Sequence, residues 1–119
     1  MMIHSVREYA FRALITFPKG GRMIQGWRSD FWYGTAGDGL WMIWPSFLDA
    51  AGVPLPDGSE VPNPCEALMY VVNDELRQSV HEKRIVVGLE FSLCEGRRIR
   101  ARGKVLEPFS RVGPYLTSG

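Results

Sequence analysis

The sequence predicts an all-β fold: a single domain over residues 1–119, built as one small antiparallel β-barrel of six or seven strands. Two observations predict it. Apolar and polar residues alternate along 9–17 and again along 99–106, which is the period of two that a pleated strand imposes. Glycines stand at the corners between the apolar runs, at Gly20 and Gly21, at Gly34, Gly37 and Gly39, and at Gly96, where a chain reversal calls for φ > 0.

Along 9–17 the residues Tyr9, Phe11, Ala13, Ile15 and Phe17 share one face and are expected in the core, with Arg12, Leu14 and Thr16 opposite them. Pro18 ends the run because it has no N–H to give a ladder, and Gly20-Gly21 is expected to turn the chain into a hairpin with the next strand. Gly26 then allows a bend or bulge before Phe31, Trp32 and Tyr33, whose aromatic bulk suits a half-buried sheet. A second hairpin is expected from the turn residues Gly34, Gly37, Asp38 and Gly39 into the apolar run 40–44.

Residues 45–64 hold Pro45, Pro54, Pro56, Pro62 and Pro64 and predict a long loop. Within it Phe47, Leu48, Ala50, Ala51 and Val53 are expected to form a short apolar helical turn over one barrel mouth. Residues 65–72 predict a central strand, apolar on both faces near its end. Residues 73–84 are polar and charged and predict a solvated connector, with Leu76 and Val80 anchoring at most one helical turn. Residues 85–93 and 99–106 are then expected to pair through the turn at 94–98. In the last strand Arg98, Arg100, Arg102 and Lys104 alternate with Ile99, Ala101, Gly103 and Val105, a row of cations on one face at about 6.6 Å intervals.

Composition limits the function classes. With 45% hydrophobic and 23% charged residues and a net charge of +1, bulk charge does not drive binding to polyanions, so any such binding must be local. Cys65 and Cys94 have neither zinc nor Cys-x-x-Cys spacing and read as reduced thiols. Arg7, Glu8 and Arg12 interrupt the N-terminal apolar residues, and no run approaches the roughly 20 apolar residues of a membrane span, so a cytoplasmic protein without membrane contact is expected. No phosphate loop and no nucleophile elbow occurs, and His4 and His81 are the only histidines. The expectation is a protein that is not an enzyme and uses no cofactor or metal.

Two ordered motifs carry a family resemblance. Gly20, Gly21, Arg22, Gly26, Trp27, Arg28 and Phe31 come first; Phe91, Leu93, Glu95, Gly96, Arg97, Ile99, Gly103 and Val105 come second. Together, over about 9–106, they resemble the third, β-barrel domain of translation elongation factor Tu, here without the GTPase domain. The resemblance implies that barrel fold, no GTP binding, and tRNA-facing positions at Gly21, Arg22, Gly96 and Arg97. Asp30 stands where the family commonly has an amide, and a carboxylate there repels phosphate.

Two functions follow as expectations. The first is a non-catalytic module that binds a protein partner, for example an immunity protein that neutralises a toxin, through the aromatic and loop residues Trp41, Trp44, Phe47 and Leu48. The alternative is an RNA- or tRNA-binding accessory protein of translation, using Arg98, Arg100, Arg102 and Lys104. The three tryptophans between Trp32 and Trp44 read either as packing or as a base-stacking platform, and the basic row either as a ligand contact or as a charged edge that repels other strands. Oligomeric state is open.

Overall fold

The computed structural model of the chain describes residues 9–112. Six strands close into a barrel in the order β1-β4-β3-β2-β5-β6: β1 (Tyr9–Thr16), β2 (Asp30–Trp32), β3 (Trp41–Phe47), β4 (Cys65–Val71), β5 (Glu90–Glu95) and β6 (Arg98–Arg111). Every pairing is antiparallel. The expected all-β barrel is thus the fold, with six strands.

The alternation in β1 fixes its inward face. Phe11, Ala13, Ile15 and Phe17 are buried, whereas Tyr9, expected with them, remains 39% exposed at the strand's start. Phe11 meets Phe31 and Phe91 edge-on at ring-centroid distances of 6.1 and 6.0 Å, and Phe31 stacks on Phe91 at 4.5 Å. Burying each such ring is worth up to about 3 kcal/mol of transfer free energy, so this aromatic knot contributes substantially to closing the barrel. Opposite it, Gly103 of β6 leaves the space that the Phe91 ring fills.

Several expectations are corrected. Gly20 has φ of 82° and Gly21 N–H bonds Pro18 C=O at 2.8 Å, so the turn exists, but it makes no hairpin: β1 pairs with β4 and β6. The residues after the turn run instead against the Pro-rich loop, with an Ile24↔Glu60 bridge and bonds from Gln25 N–H to Ser59 C=O and from Val61 N–H to Met23 C=O, both 2.8 Å. Gly residues license a reversal; they do not choose which strand receives the returning chain.

Pro45 does not end a strand. It lies inside β3 opposite Met69, beyond the last β2 pair on that side, Asp30↔Met42, where no neighbouring strand asks for its missing N–H. The loop therefore begins at Leu48, and its first turn is not helical: the Asp49 carboxylate accepts from Ala51 and Val53 N–H at 2.8 and 3.0 Å, and Leu48 bridges Pro54. The second hairpin is present, joining β2 to β3.

The connector 73–84 is not solvated throughout. Asn73 caps α1 (Asp74–Leu76) by accepting from Leu76 N–H, a five-residue π-turn Arg77–His81 follows, and α2 (Glu82–Arg84) ends it. Arg77 and His81 are buried. Residues 85–89 form a loop rather than the start of β5, although Ile85 is buried. In β6 the register shifts between Leu93 and Cys94, leaving Arg100 as the extra residue of a bulge.

Candidate macromolecular interface

One end of the barrel gathers the segment 20–28, the loop 48–60 and the β5–β6 hairpin. Gln25 holds it together. Its side chain is buried, its Nε2 donates to the carbonyls of Phe47 and Leu55 at 3.1 Å each, and its Oε1 accepts from Phe47 N–H at 2.9 Å. This primary amide does for β3 what a strand neighbour would do beyond the end of β2, satisfying backbone groups that burial would otherwise penalise.

On that fixed base sits a groove of about 460 Å³ whose walls include Trp27, Arg28, Trp44, Asp57 and Tyr70. Trp44 and Tyr70 are a cross-strand pair on the outer face of β3 and β4. The Arg28 guanidinium carbon lies 4.7 Å from the Trp44 ring centroid, a cation–π contact that leaves its donors available at the rim. All three aromatics are partly exposed. A second groove of about 530 Å³ continues across Trp27 towards Arg22, Glu60, Glu95 and Arg100. There the charges pair as Arg22 with Glu60 and Arg100 with Glu95, each at 3.3 Å.

Of the residues singled out in the sequence, Trp44, Arg22 and Arg100 line these grooves, with Gly21, Gly96, Arg97 and Arg98 adjoining them in the chain. Phe47 and Leu48 are buried rather than presented at the surface. Phe47 is wholly inside the core, because β3 runs on past Pro45 and turns it inward, and Leu48, pointing to the other face, is buried in a small outer cluster with Ala10 and Leu68. Trp41 lies at the opposite mouth against His81. Lys104 pairs across the ladder with Glu90, in the middle of the barrel. Trp27, Tyr70 and Gln25 were missed as site residues. Trp27 had a signal, since it belongs to the Gly-Trp-Arg corner, but nothing in the sequence says that Tyr70 faces outward beside Trp44.

The opposite mouth carries the most perturbed groups. His81 is fully buried, its Nδ1 is 2.6 Å from the Tyr33 hydroxyl, and Arg84 reaches over Tyr33 at 3.7 Å while donating to both Asp38 oxygens at 2.9 and 3.0 Å. Burial, helped by the charge of Arg84, pushes the His81 imidazole down to about 4, and burial pushes the Tyr33 hydroxyl up to about 12. Hydrogen bonding from Arg84 lowers the Asp38 carboxyl. Among the described residues neither His81 Nε2 nor Trp41 Nε1 has a hydrogen-bond partner, but the two rings stand perpendicular at 4.8 Å, the arrangement in which a ring edge meets π density.

This cluster is a neutral plug. Its consequence is a pH dependence: an unfolded His81 takes up its proton near pH 6.5 and the folded one only near 4, so the His81 contribution to stability should be lost as pH drops from 6.5 to 4, while the lowered Asp38 carboxyl adds a further loss at more acid pH. Denaturant midpoints measured across that window should lose this slope in a His81→Phe variant. Among the described residues no three His, Cys, Asp or Glu side chains are grouped to hold a metal ion, and both cysteines are free and buried. No helix among them is long and apolar enough to cross a membrane.

No protein-family model matches the chain, and neither a curated protein nor a solved structure does.

Proposed function

We propose that this protein is a non-catalytic binding module whose partner is another protein, held on the groove of Trp27, Trp44 and Tyr70. The observation that carries the reading is the groove's composition and support: three part-exposed aromatics and an arginine on a backbone immobilised by Gln25. Tyr, Trp and Arg are the side chains that most often concentrate binding energy in protein interfaces, and rigidity lowers the entropy lost on docking. The resemblance to the third domain of elongation factor Tu supports the same end of the barrel, because its implied ligand-facing positions Gly21, Arg22, Gly96 and Arg97 adjoin these grooves. Toxin neutralisation in the cytoplasm is one role that fits; it requires no chemistry from the barrel.

The RNA reading has one observation in its favour, the exposed cations Arg97, Arg98 and Arg102. Against a continuous phosphate track, Arg100 is engaged by Glu95 and Lys104 faces Glu90. A Trp27→Ala, Trp44→Ala double variant separates the two. For a protein partner recovered from the native cell, affinity should drop by at least 100-fold, since two aromatic anchors are worth about 2 kcal/mol or more each, with the circular dichroism spectrum of the folded barrel retained even though Trp27 also packs on the core and the melt should fall somewhat. Recovery of ribonuclease-sensitive material alone, with binding that weakens steeply as salt rises, would overturn the protein reading.

A further inference from the structure

We propose that the open edge of β6 at 98–101 takes an acidic, extended segment of a polypeptide partner as an added strand. The inference rests on the reading that the partner is a protein, and it names the chemistry of the segment recognised.

Three independent features meet at this edge. The first is the ladder. β1 pairs with β6 from Tyr9↔Arg111 to Thr16↔Arg102 and then stops, although β6 starts at Arg98. It stops where Pro18, which has no N–H to give, would next face β6; the Phe17 backbone groups turn the other way, its N–H donating to and its C=O accepting from the Asn63 side chain beyond the end of β4, at 3.0 Å each. Among the described residues, 98–101 therefore pair only with β5, and the edge that faced β1 has no strand beside it. An uncovered edge is a template for another strand, and about four residues at roughly 3.3 Å each would fit along it.

The second feature is a cleft of about 320 Å³ at the same place, with Phe17 and Pro18 on one wall and Ile99 and Ala101 on the other. Ile99 is 37% exposed. Such walls suit the alternate side chains of an extended segment. They offer no open aromatic face for a base, since Phe17 is buried.

The third is charge. Arg97, Arg98 and Arg102 are exposed and hold no ion pair among the described residues, while the carboxylate opposite Arg98 in the ladder, Glu95, is engaged by Arg100. Like charges keep a second copy of this edge away, and the same cations select a strand bearing Glu or Asp.

The test uses the full chain, isotope-labelled, and three probes: an end-blocked Glu-Val-Glu-Val-Glu-Val peptide, the same peptide with Lys for Glu, and a ten-nucleotide single-stranded uridine RNA. The acidic peptide should shift the amides of 98–102 and of Phe17 and slow hydrogen exchange along 98–101; the basic peptide should not. N-methylation of alternate peptide amides should weaken binding at least tenfold, which charge attraction alone would not. An Arg98→Glu, Arg102→Glu variant, both positions exposed, should reverse the preference between the two peptides. If neither peptide nor RNA binds here, the inference falls while the aromatic groove stands. If RNA binds these residues and the acidic peptide does not, the protein-partner reading falls with it.

Discussion

Replacing Gly103 by alanine is expected to destabilise the barrel by about 3 kcal/mol, at the upper end for overpacking a core, and to lower the melting temperature by roughly 10 °C. A Cβ at Gly103 would lie 2.2 Å from Cζ and 2.4 Å from Cε2 of Phe91. Relief would require the ring to move, and the ring cannot move cheaply. It is stacked on Phe31 at 4.5 Å, Phe11 abuts it at 6.0 Å, and all three rings are buried. The position is not a turn; glycine is needed there to admit its neighbour. Trimming that neighbour should restore part of the loss, so a Gly103→Ala, Phe91→Leu cycle should show favourable coupling of about 1 kcal/mol or more in chemical unfolding. Purely additive losses would mean that β5 and β6 do not meet in this register.

Changing Gln25 to alanine is expected to cost about 3 kcal/mol as well, through a different mechanism. The substitution removes the partner of Phe47 N–H and the side-chain donor to Leu55 C=O, and orphaned buried polar groups cost about 1–3 kcal/mol each. Phe47 C=O keeps the Leu55 N–H at 2.9 Å, which limits the damage. Gln25→Glu has the same shape, but it sets a carboxylate oxygen against two carbonyls. That variant should be as unstable as the alanine one at neutral pH and should recover part of its stability as pH falls and the buried carboxyl takes a proton that it can donate. Both changes should also loosen the segment carrying Trp27, so partner affinity should fall beyond what the melting curve alone accounts for.

The strands whose faces differ were legible in the sequence. In β1 and β6 a buried side alternates with a solvent side, and residues such as Ile15 and Val105 announce it. The outcome at β2 and β3 was harder to read, because β2 is three residues long and its missing length is replaced by the amide of Gln25, a contact that depends on three-dimensional placement. Proline chemistry places Pro45 in the loop 45–64 on sound local grounds; it is tolerated inside β3 only because the β2 ladder has already finished. Arg77 and His81 were hidden by their polarity. Arg77 can be buried because it pairs with Asp74 at 2.7 Å and with Glu82, and lies 4.4 Å from the Tyr9 ring, and His81 because it is neutral and bonded to Tyr33. The candidate site follows the same logic. The arginine row was visible as alternation, whereas the aromatic groove joins residues 27, 44 and 70, which only the closed barrel brings together.

The most direct test of the central claim, that the outer surface at the Trp27 end does this protein's work, is photo-crosslinking in the native cell with p-benzoylphenylalanine at position 27 or 44, and at exposed Lys83 of α2 as the control. The account predicts one discrete, protease-sensitive adduct from positions 27 and 44 and none from 83. Adducts from position 83 alone, or adducts at 27 and 44 that ribonuclease removes, would contradict it.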